Sequence, residues 1–184
     1  MRNFGRFWAR IYALRHGKSE SNQIIVDLLD LKPDDRILEI GCGPGAAAEL
    51  AASQIGAERV AAVDPSQTFV DMVRKRVPGA DVRLGSATEI PFDDGTFTAI
   101  WSIASMHHWP SRESGLAAQA AKLAGGGRLL VAERLLDKPG HGITATQTAE
   151  VMEYLKGIGL VDIESQTVPN GAKTMQVIRA VAPS

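Results

Sequence analysis

The sequence predicts an α/β fold, a three-layer sandwich around a seven-stranded, mostly parallel sheet with an antiparallel last strand. Three observations carry this. From Pro33 onward, short apolar runs of strand type alternate with segments of helical periodicity, the pattern of a parallel sheet layered by helices. The first run opens through a glycine-rich turn, "EIGCGPG", into an alanine-rich helix. Near the C-terminus two strand-like runs are separated only by "PNGAK". A parallel crossover needs a dozen or more residues, so these two strands must pair as a hairpin, with Asn170-Gly171 as the turn pair.

In chain order, "MRNFGRFWARIYALRHGK" sets Phe4, Phe7, Trp8, Ile11 and Tyr12 at helical spacing opposite Arg2, Arg6 and Arg10. Three readings of it stand: a lid that folds Phe7, Trp8 and Tyr12 over a bound ligand, an amphipathic helix for a membrane surface or partner, and a helix packed on its own domain. A helix over 21–31 follows, with Ile24, Ile25, Leu28 and Leu29 on one face, closed by Pro33. Residues 1–32 are therefore expected as an N-terminal helical lid or cap and 33–184 as the main domain. Strands are expected at "RILEIG", "RVAAVD", "DVRLGSA", "FTAIWSIAS", "RLLVAE", "DIESQTV" and "TMQVIRAVA". Helices are expected over 44–54, 67–77, 111–124 and 145–158. The reversed last strand departs from the plain dinucleotide fold, whose six strands are all parallel.

Composition narrows the class. At 184 residues, with 45% hydrophobic and 22% charged residues, the chain is an ordinary globular domain. A net charge of −1 gives no general pull toward nucleic acid or anionic lipid. One cysteine, Cys42, excludes an internal disulfide framework and suits a reducing compartment. The longest mostly apolar stretch, "FTAIWSIASM", is far short of the roughly 20 residues of a spanning helix. A soluble, cytoplasmic chain without stable membrane insertion is the expectation.

In the glycine turn, Gly41 and Gly43 let the backbone turn sharply and approach a ligand with no Cβ in the way. Gly41, Gly43 and Ala46 satisfy G-x-G-x-x-G/A, so the turn alone fits a dinucleotide or a sulfonium nucleoside. Pro44, expected at the first helical position, removes one of the N–H groups that a pyrophosphate seeks. Asp64 closes the second strand about 20 residues on, where a ribose-gripping carboxylate belongs; the alternative is an Asp capping the next helix.

Taken together, "ILEIGCGPG", "VDPS", "GSATEIPFDDGTF" and "SMHHW" resemble the class I S-adenosylmethionine-dependent methyltransferases, in the small-molecule, ubiquinone-biosynthesis-like (methyltransferase type 11) branch. The resemblance is strong over 34–133. It implies a Rossmann-like fold with strand order 3-2-1-4-5-7-6 and S-adenosyl-L-methionine as cofactor, converted to S-adenosyl-L-homocysteine. Glu39, Gly41, Cys42 and Gly43 would line its methionine part and Asp64 its ribose, with Pro65 and Ser66 beside it. Ser86 and Ala87 would border the adenine, and Ile103 would lie at the end of the fourth strand. The branch has an acidic residue where this chain has Ser86, and an Asp where it has Thr98.

The acceptor is expected to be a small molecule. Methyl transfer needs alignment and a dry site more than a catalytic side chain. A base helps where the accepting atom must lose a proton, and His107 or His108, after the fourth strand, can serve as that base. No metal is expected; a zinc site of His107, His108 and His141 stands as an alternative that no ligand-spaced cluster supports. The short link "RLLDKPGHGIT" implies a site left open or completed by a second subunit, hence a possible homodimer. Two rivals remain. A non-catalytic nucleotide-binding protein fits the same fold. An NAD(P) oxidoreductase lacks the Tyr-x-x-x-Lys of short-chain dehydrogenases, since His16 and Ile158 stand four residues after Tyr12 and Tyr154. A nucleic-acid acceptor is disfavoured, because the fourth strand ends in "SIASMHHW" rather than an Asn/Asp-Pro-Pro-aromatic motif.

Overall fold

The structure, a computed structural model, describes residues 20–184; the aromatic residues of the expected lid, Phe7, Trp8 and Tyr12, lie outside them. The elements run α1 (Glu20–Leu28), β1 (Ile37–Ile40), α2 (Ala46–Ile55), β2 (Val60–Asp64), α3 (Gln67–Arg76), β3 (Asp81–Leu84) and β4 (Phe97–Ile103). Then follow α4 (Arg112–Lys122), β5 (Leu123–Arg134), α5 (Ala145–Gly157), β6 (Val161–Asn170) and β7 (Lys173–Val181). The seven strands form one sheet in the order β3-β2-β1-β4-β5-β7-β6. β1 to β5 are parallel, and β7 is antiparallel to both of its neighbours. This is the topology the sequence predicts.

Alternation along each strand splits the core into two layers. Ile37, Ala62, Trp101, Leu130 and Val177 face one way, packed under α1, α2 and α3. Leu38, Ile40, Val63, Ile100, Val131 and Ile178 face the other, under α4 and α5. β1 and β2 are buried at every position, as a central parallel strand covered on both faces must be. Ile25, Val26 and Leu29 are buried in the first layer, so the segment after residue 20 is packed onto the sheet. Among the described residues no helix is long and apolar enough to cross a membrane.

Two local expectations are corrected. α2 begins at Ala46 rather than residue 44, because Gly45 takes the left-handed conformation (φ 80°) at the N-cap. Pro44 therefore lies in the turn, which Gly45 N closes by donating to Cys42 O at 2.9 Å, and the argument from Pro44 as first helical residue falls. In the hairpin Asn170 pairs with Lys173. The turn pair is thus Gly171-Ala172, one residue later, with the positive φ at Gly171 (57°).

Thr98, at the entry to β4, has a role in the frame. Its hydroxyl donates to Asp35 Oδ1 at 2.6 Å and accepts from Arg36 N at 3.0 Å. Asp35 is also paired with Arg128 on β5. That network ties β1, β4 and β5 at the end of the sheet opposite the glycine turn.

Candidate functional site

Each residue expected to bind the cofactor or act as the base lies at the carboxyl end of β1, β2, β3 or β4 or in the turn that follows, the edge where open α/β sheets bind ligands. Glu39 is in β1. Gly41, Cys42 and Gly43 form the turn after it, Asp64 ends β2, and Pro65 and Ser66 lead into α3. Ser86 and Ala87 follow β3, Ile103 ends β4, and His107 and His108 sit in a 3₁₀ turn, Met106–His108.

The glycine turn is held by backbone bonds. Gly41 N and Cys42 N both donate to Val63 O, at 2.9 and 3.1 Å. Gly43 N donates to Asp64 Oδ2 and Ser66 N to Asp64 Oδ1, each at 2.9 Å. Asp64, 5% exposed, therefore braces two turns at once, and each oxygen keeps a lone-pair site. Burial raises its pKa, and the two amide bonds oppose the rise. Gly41 (φ 71°) and Gly43 (φ 51°) differ in their surroundings. A Cβ on Gly43 would meet nothing within 4 Å, whereas one on Gly41 would lie 2.1 Å from Ser105 Oγ. The turn is open to a ligand on one side and pressed against the β4 exit on the other.

Glu39 is buried and in register with Trp101 of β4. Burial drives its pKa to about 8, partly offset by the Trp101 indole and the Ala48 amide. Glu39 Oε2 and Trp101 Nε1 are both buried with no hydrogen-bond partner, so the indole is close without being bonded. Burial likewise raises the Cys42 thiol, which makes it an inert wall. The Ser86 hydroxyl accepts from Glu89 N at 3.1 Å and lies 3.2 Å from Thr88 Oγ1. It therefore holds its own turn, and Gly85 N ties that turn to Asp64 O at 3.2 Å. Ala87 is buried beside it and Ile103 half-buried.

The β4 exit is built from side chains. Ala104 takes a positive φ (49°) and donates its N–H to Ala132 O at 2.8 Å. Trp109 Nε1 donates to Ser105 Oγ at 3.1 Å, and the Trp109 ring packs so closely on α4 that a Cβ on Gly115 would lie 2.6 Å from it. This folds residues 105–109 into a tight corner, and Ser111 caps the following helix by accepting from Ser114 N. His107 Nδ1 lies 2.7 Å from Oε2 of Glu133, which is 1% exposed. With Nδ1–H donated to this carboxylate, a neutral imidazole presents its Nε2 lone pair on the other side of the ring.

Glu133 escaped the sequence analysis; its one signal is a carboxylate ending the apolar run "RLLVA" at a strand's carboxyl end. His141, far along the chain, also arrives here. Its loop is clasped at the base by Ile143 N to Arg134 O (2.9 Å) and Leu136 N to Ile143 O (2.8 Å). The three imidazoles that no sequence spacing joins thus meet, His107 and His108 with ring centroids 4.0 Å apart. Partial burial first, then the neighbouring His107 and His141, lower the pKa of His108. Beside His107 a cleft of about 340 Å³ opens between Met106, Trp109, Ser111, Arg112 and Gly140, at the lower end of the range for small-molecule sites.

Comparison with known proteins adds to this geometry. A family model described as a methyltransferase domain matches residues 38–131. Methyltransferase GfsG of Streptomyces halstedii is 28% identical over 87% of this chain and 66% of its own length. The 27-O-demethylrifamycin SV methyltransferase of Amycolatopsis mediterranei is 31% identical over 73% of this chain and 51% of its own. The chain thus spans about half to two-thirds of the length of these curated relatives. Among solved structures, a Haemonchus contortus phosphoethanolamine N-methyltransferase 2, in complex with phosphomonomethylethanolamine and S-adenosylhomocysteine, superposes with a TM-score of 0.82. It is 16% identical and covers 100% of this chain and 58% of its own, a likeness of fold.

Proposed function

The chain belongs to the methyltransferase-domain family, and on that premise we propose that it transfers a methyl group from S-adenosylmethionine to a small-molecule acceptor. The carrying observation is the open space over Gly43 beside the buried Asp64 carboxylate. A Cβ there would meet nothing, two amides already orient the carboxylate, and its remaining lone pairs suit the two hydroxyls of a ribose. Family membership and the two curated methyltransferases support the transfer, and the 340 Å³ cleft favours a small acceptor.

The residues fit the cofactor as follows. Gly41, Cys42 and Gly43 give a wall without projecting side chains, and the unpartnered Glu39 Oε2 gives a buried carboxyl for the methionine end. Ser86 and Ala87 border the adenine position, with a hydroxyl in place of a charged acceptor, and Ile103 flanks the cofactor from the end of β4. When bound, adenosylmethionine supplies an electrophilic methyl group. The chain's own task is then to align the acceptor and move its proton. His107, oriented by Glu133, presents Nε2 as the base for an acceptor O–H or N–H, and His108, its pKa lowered, is the second candidate.

Titration calorimetry with adenosylmethionine, adenosylhomocysteine and NAD tests the reading. Both sulfur compounds should bind, NAD should not, and Asp64→Ala should weaken binding by about 1–3 kcal/mol, the cost of removing an acceptor from buried donors. Binding of NAD alone would overturn it. For the base, methyl transfer to a panel of phenols, alcohols and amines should drop about 10²–10⁴-fold in His107→Ala while the cofactor still binds. Full turnover in the His107→Ala, His108→Ala double variant would remove that role.

A further inference from the structure

We propose that His107, His108 and His141 form a binding site for a divalent transition metal of the zinc class, next to the methyl-transfer site and separate from the cofactor. Three of the chain's four histidines converge here, and one ring nitrogen from each lies within 4.8 Å of the other two. The rings of His107 and His141 stand edge to face at 5.4 Å, and those of His108 and His141 at 5.7 Å. An all-imidazole set suits zinc, cobalt, nickel or copper and does not suit magnesium or calcium, which take oxygen ligands.

A second observation points the same way. Metal-binding histidines commonly hand their other ring proton to a carboxylate, which fixes the tautomer and raises the basicity of the ligating nitrogen. Glu133 stands in that position behind His107: it is 1% exposed, 2.7 Å from Nδ1, and its other oxygen is buried without a partner. A cation on Nε2 would place positive charge opposite this enclosed carboxylate.

The site needs only a small closure. Tetrahedral bonds of 2.0–2.1 Å put ligand nitrogens about 3.3 Å apart, so the imidazoles must approach by about 1.5 Å. His141 is exposed, and glycines flank it. The loop base is fixed, since a Cβ on Gly142 would lie 2.3 Å from Arg134 O. The ring can therefore swing inward from a fixed foot.

Three protein ligands leave the fourth position to water or to an oxygen of the acceptor, the arrangement of catalytic zinc sites. His107 and Gly140, beside His141, both line the 340 Å³ cleft, so an acceptor with a hydroxyl or carboxylate oxygen is the ligand class that fits. With a cation on Nε2, His107 no longer takes a proton. A cation held by these imidazoles would supply the equivalent chemistry, a lowered pKa for a hydroxyl bound to it.

The test uses the full chain without a histidine tag, stripped with EDTA and titrated with Co²⁺ and then Zn²⁺. One Co²⁺ should bind per chain with the visible spectrum of a four-coordinate ion, and Zn²⁺ should displace it. Glu133→Gln should weaken binding about 10–100-fold, and His108→Ala and His141→Ala at least as much, with circular dichroism melts showing each variant folded. Absence of stoichiometric binding, or equal binding in the folded His108→Ala and His141→Ala variants, would overturn the site. Adenosylmethionine titration of the same samples reads the cofactor site separately, since cofactor binding draws on Asp64 and not on these histidines.

Discussion

Gly41 and Ser105 touch, yet the turns they belong to are built by different means. The β1 turn is made of main chain: its amides are spent on Val63 O and the Asp64 carboxylate, and its shape rests on positive φ at Gly41, Gly43 and Gly45. The β4 exit is made of side chains: Trp109 bonded to Ser105, His107 to Glu133, and an alanine held at positive φ. A surface of bare backbone can hold one conserved shape of ligand closely, whereas a surface of side chains can change its chemistry by substitution. On the function proposed, the first half serves the common cofactor and the second the particular acceptor.

The contact between the halves is where the difference breaks most readily. Gly41→Ala puts a Cβ 2.1 Å from Ser105 Oγ and holds a non-glycine residue at φ 71°. Overpacking of this kind costs about 1–3 kcal/mol and the left-handed conformation about 1–2 kcal/mol. Urea denaturation should therefore show a loss of about 3 kcal/mol. Ser105→Gly removes the Trp109 bond in either background but relieves the clash only beside the methyl group that Gly41→Ala adds. It should therefore cost less in the Gly41→Ala chain than in the wild type, and equal costs would mean the two turns do not press on each other. Gly43→Ala is the counterpart: its Cβ meets nothing, so stability should fall only by the backbone share while adenosylmethionine binding is lost.

The same contrast explains how far the sequence could be read. Alternation and the five-residue gap "PNGAK" were enough for the seven-stranded topology, because both depend on local chain geometry. The glycine turn was legible for the same reason, down to Asp64. Pro44 misled because Gly45 at φ 80° excludes both residues from α2, and conformation is invisible in the letters. Glu133 was out of reach, and the grouping of His141 with His107 had no spacing to support it, for a different reason. Their place beside His107 depends on the register of β5 against β4, where Ile103 pairs with Ala132. That register is a long-range property, and no motif within one segment encodes it. Glu39 lies between the cases: its position was evident, but its unusual protonation comes from its burial between packed layers, which Trp101 across the β1–β4 pair opposes.

Glu39 gives an effect whose size pH sets, reaching about 4 kcal/mol between pH 5 and pH 8. Burial holds its pKa up at about 8 in the folded chain, against an ordinary glutamate value of 4.5. Between these values the folded state holds a proton that the unfolded state has released, so stability falls as pH rises. The slope is about 1.4 kcal/mol per pH unit, and it flattens above the folded pKa, where both states have ionised. Glu39→Gln removes this titration without changing the shape. The difference in unfolding free energy between variant and wild type should grow steadily from pH 5 to pH 8 in favour of the variant. A pH-independent difference would mean that Glu39 is ionised in the fold. A cationic ligand near this carboxyl favours its ionised form, so adenosylmethionine affinity in the wild type should rise with pH over the same window, and this rise should vanish in Glu39→Gln.

The smallest effect belongs to the β4 exit. Ala104 sits at φ 49°, held by its N–H bond to Ala132 O and followed at once by Ser105, which is pressed against Gly41. A non-glycine residue in that region carries strain of about 1–2 kcal/mol. Glycine would remove the strain but add unfolded-state entropy, an opposing effect of about 0.4–1 kcal/mol. Ala104→Gly should therefore stabilise the chain by a net amount below about 1 kcal/mol, which for a chain of this size raises the unfolding midpoint by no more than about 2–4 °C. The sign matters more than the size. A rise shows that the exit toward the histidines holds backbone strain that the glycine turn avoids by composition. A fall would mean that the Ala104 methyl group makes a favourable contact worth more than the strain, and that both turns rest in relaxed backbone.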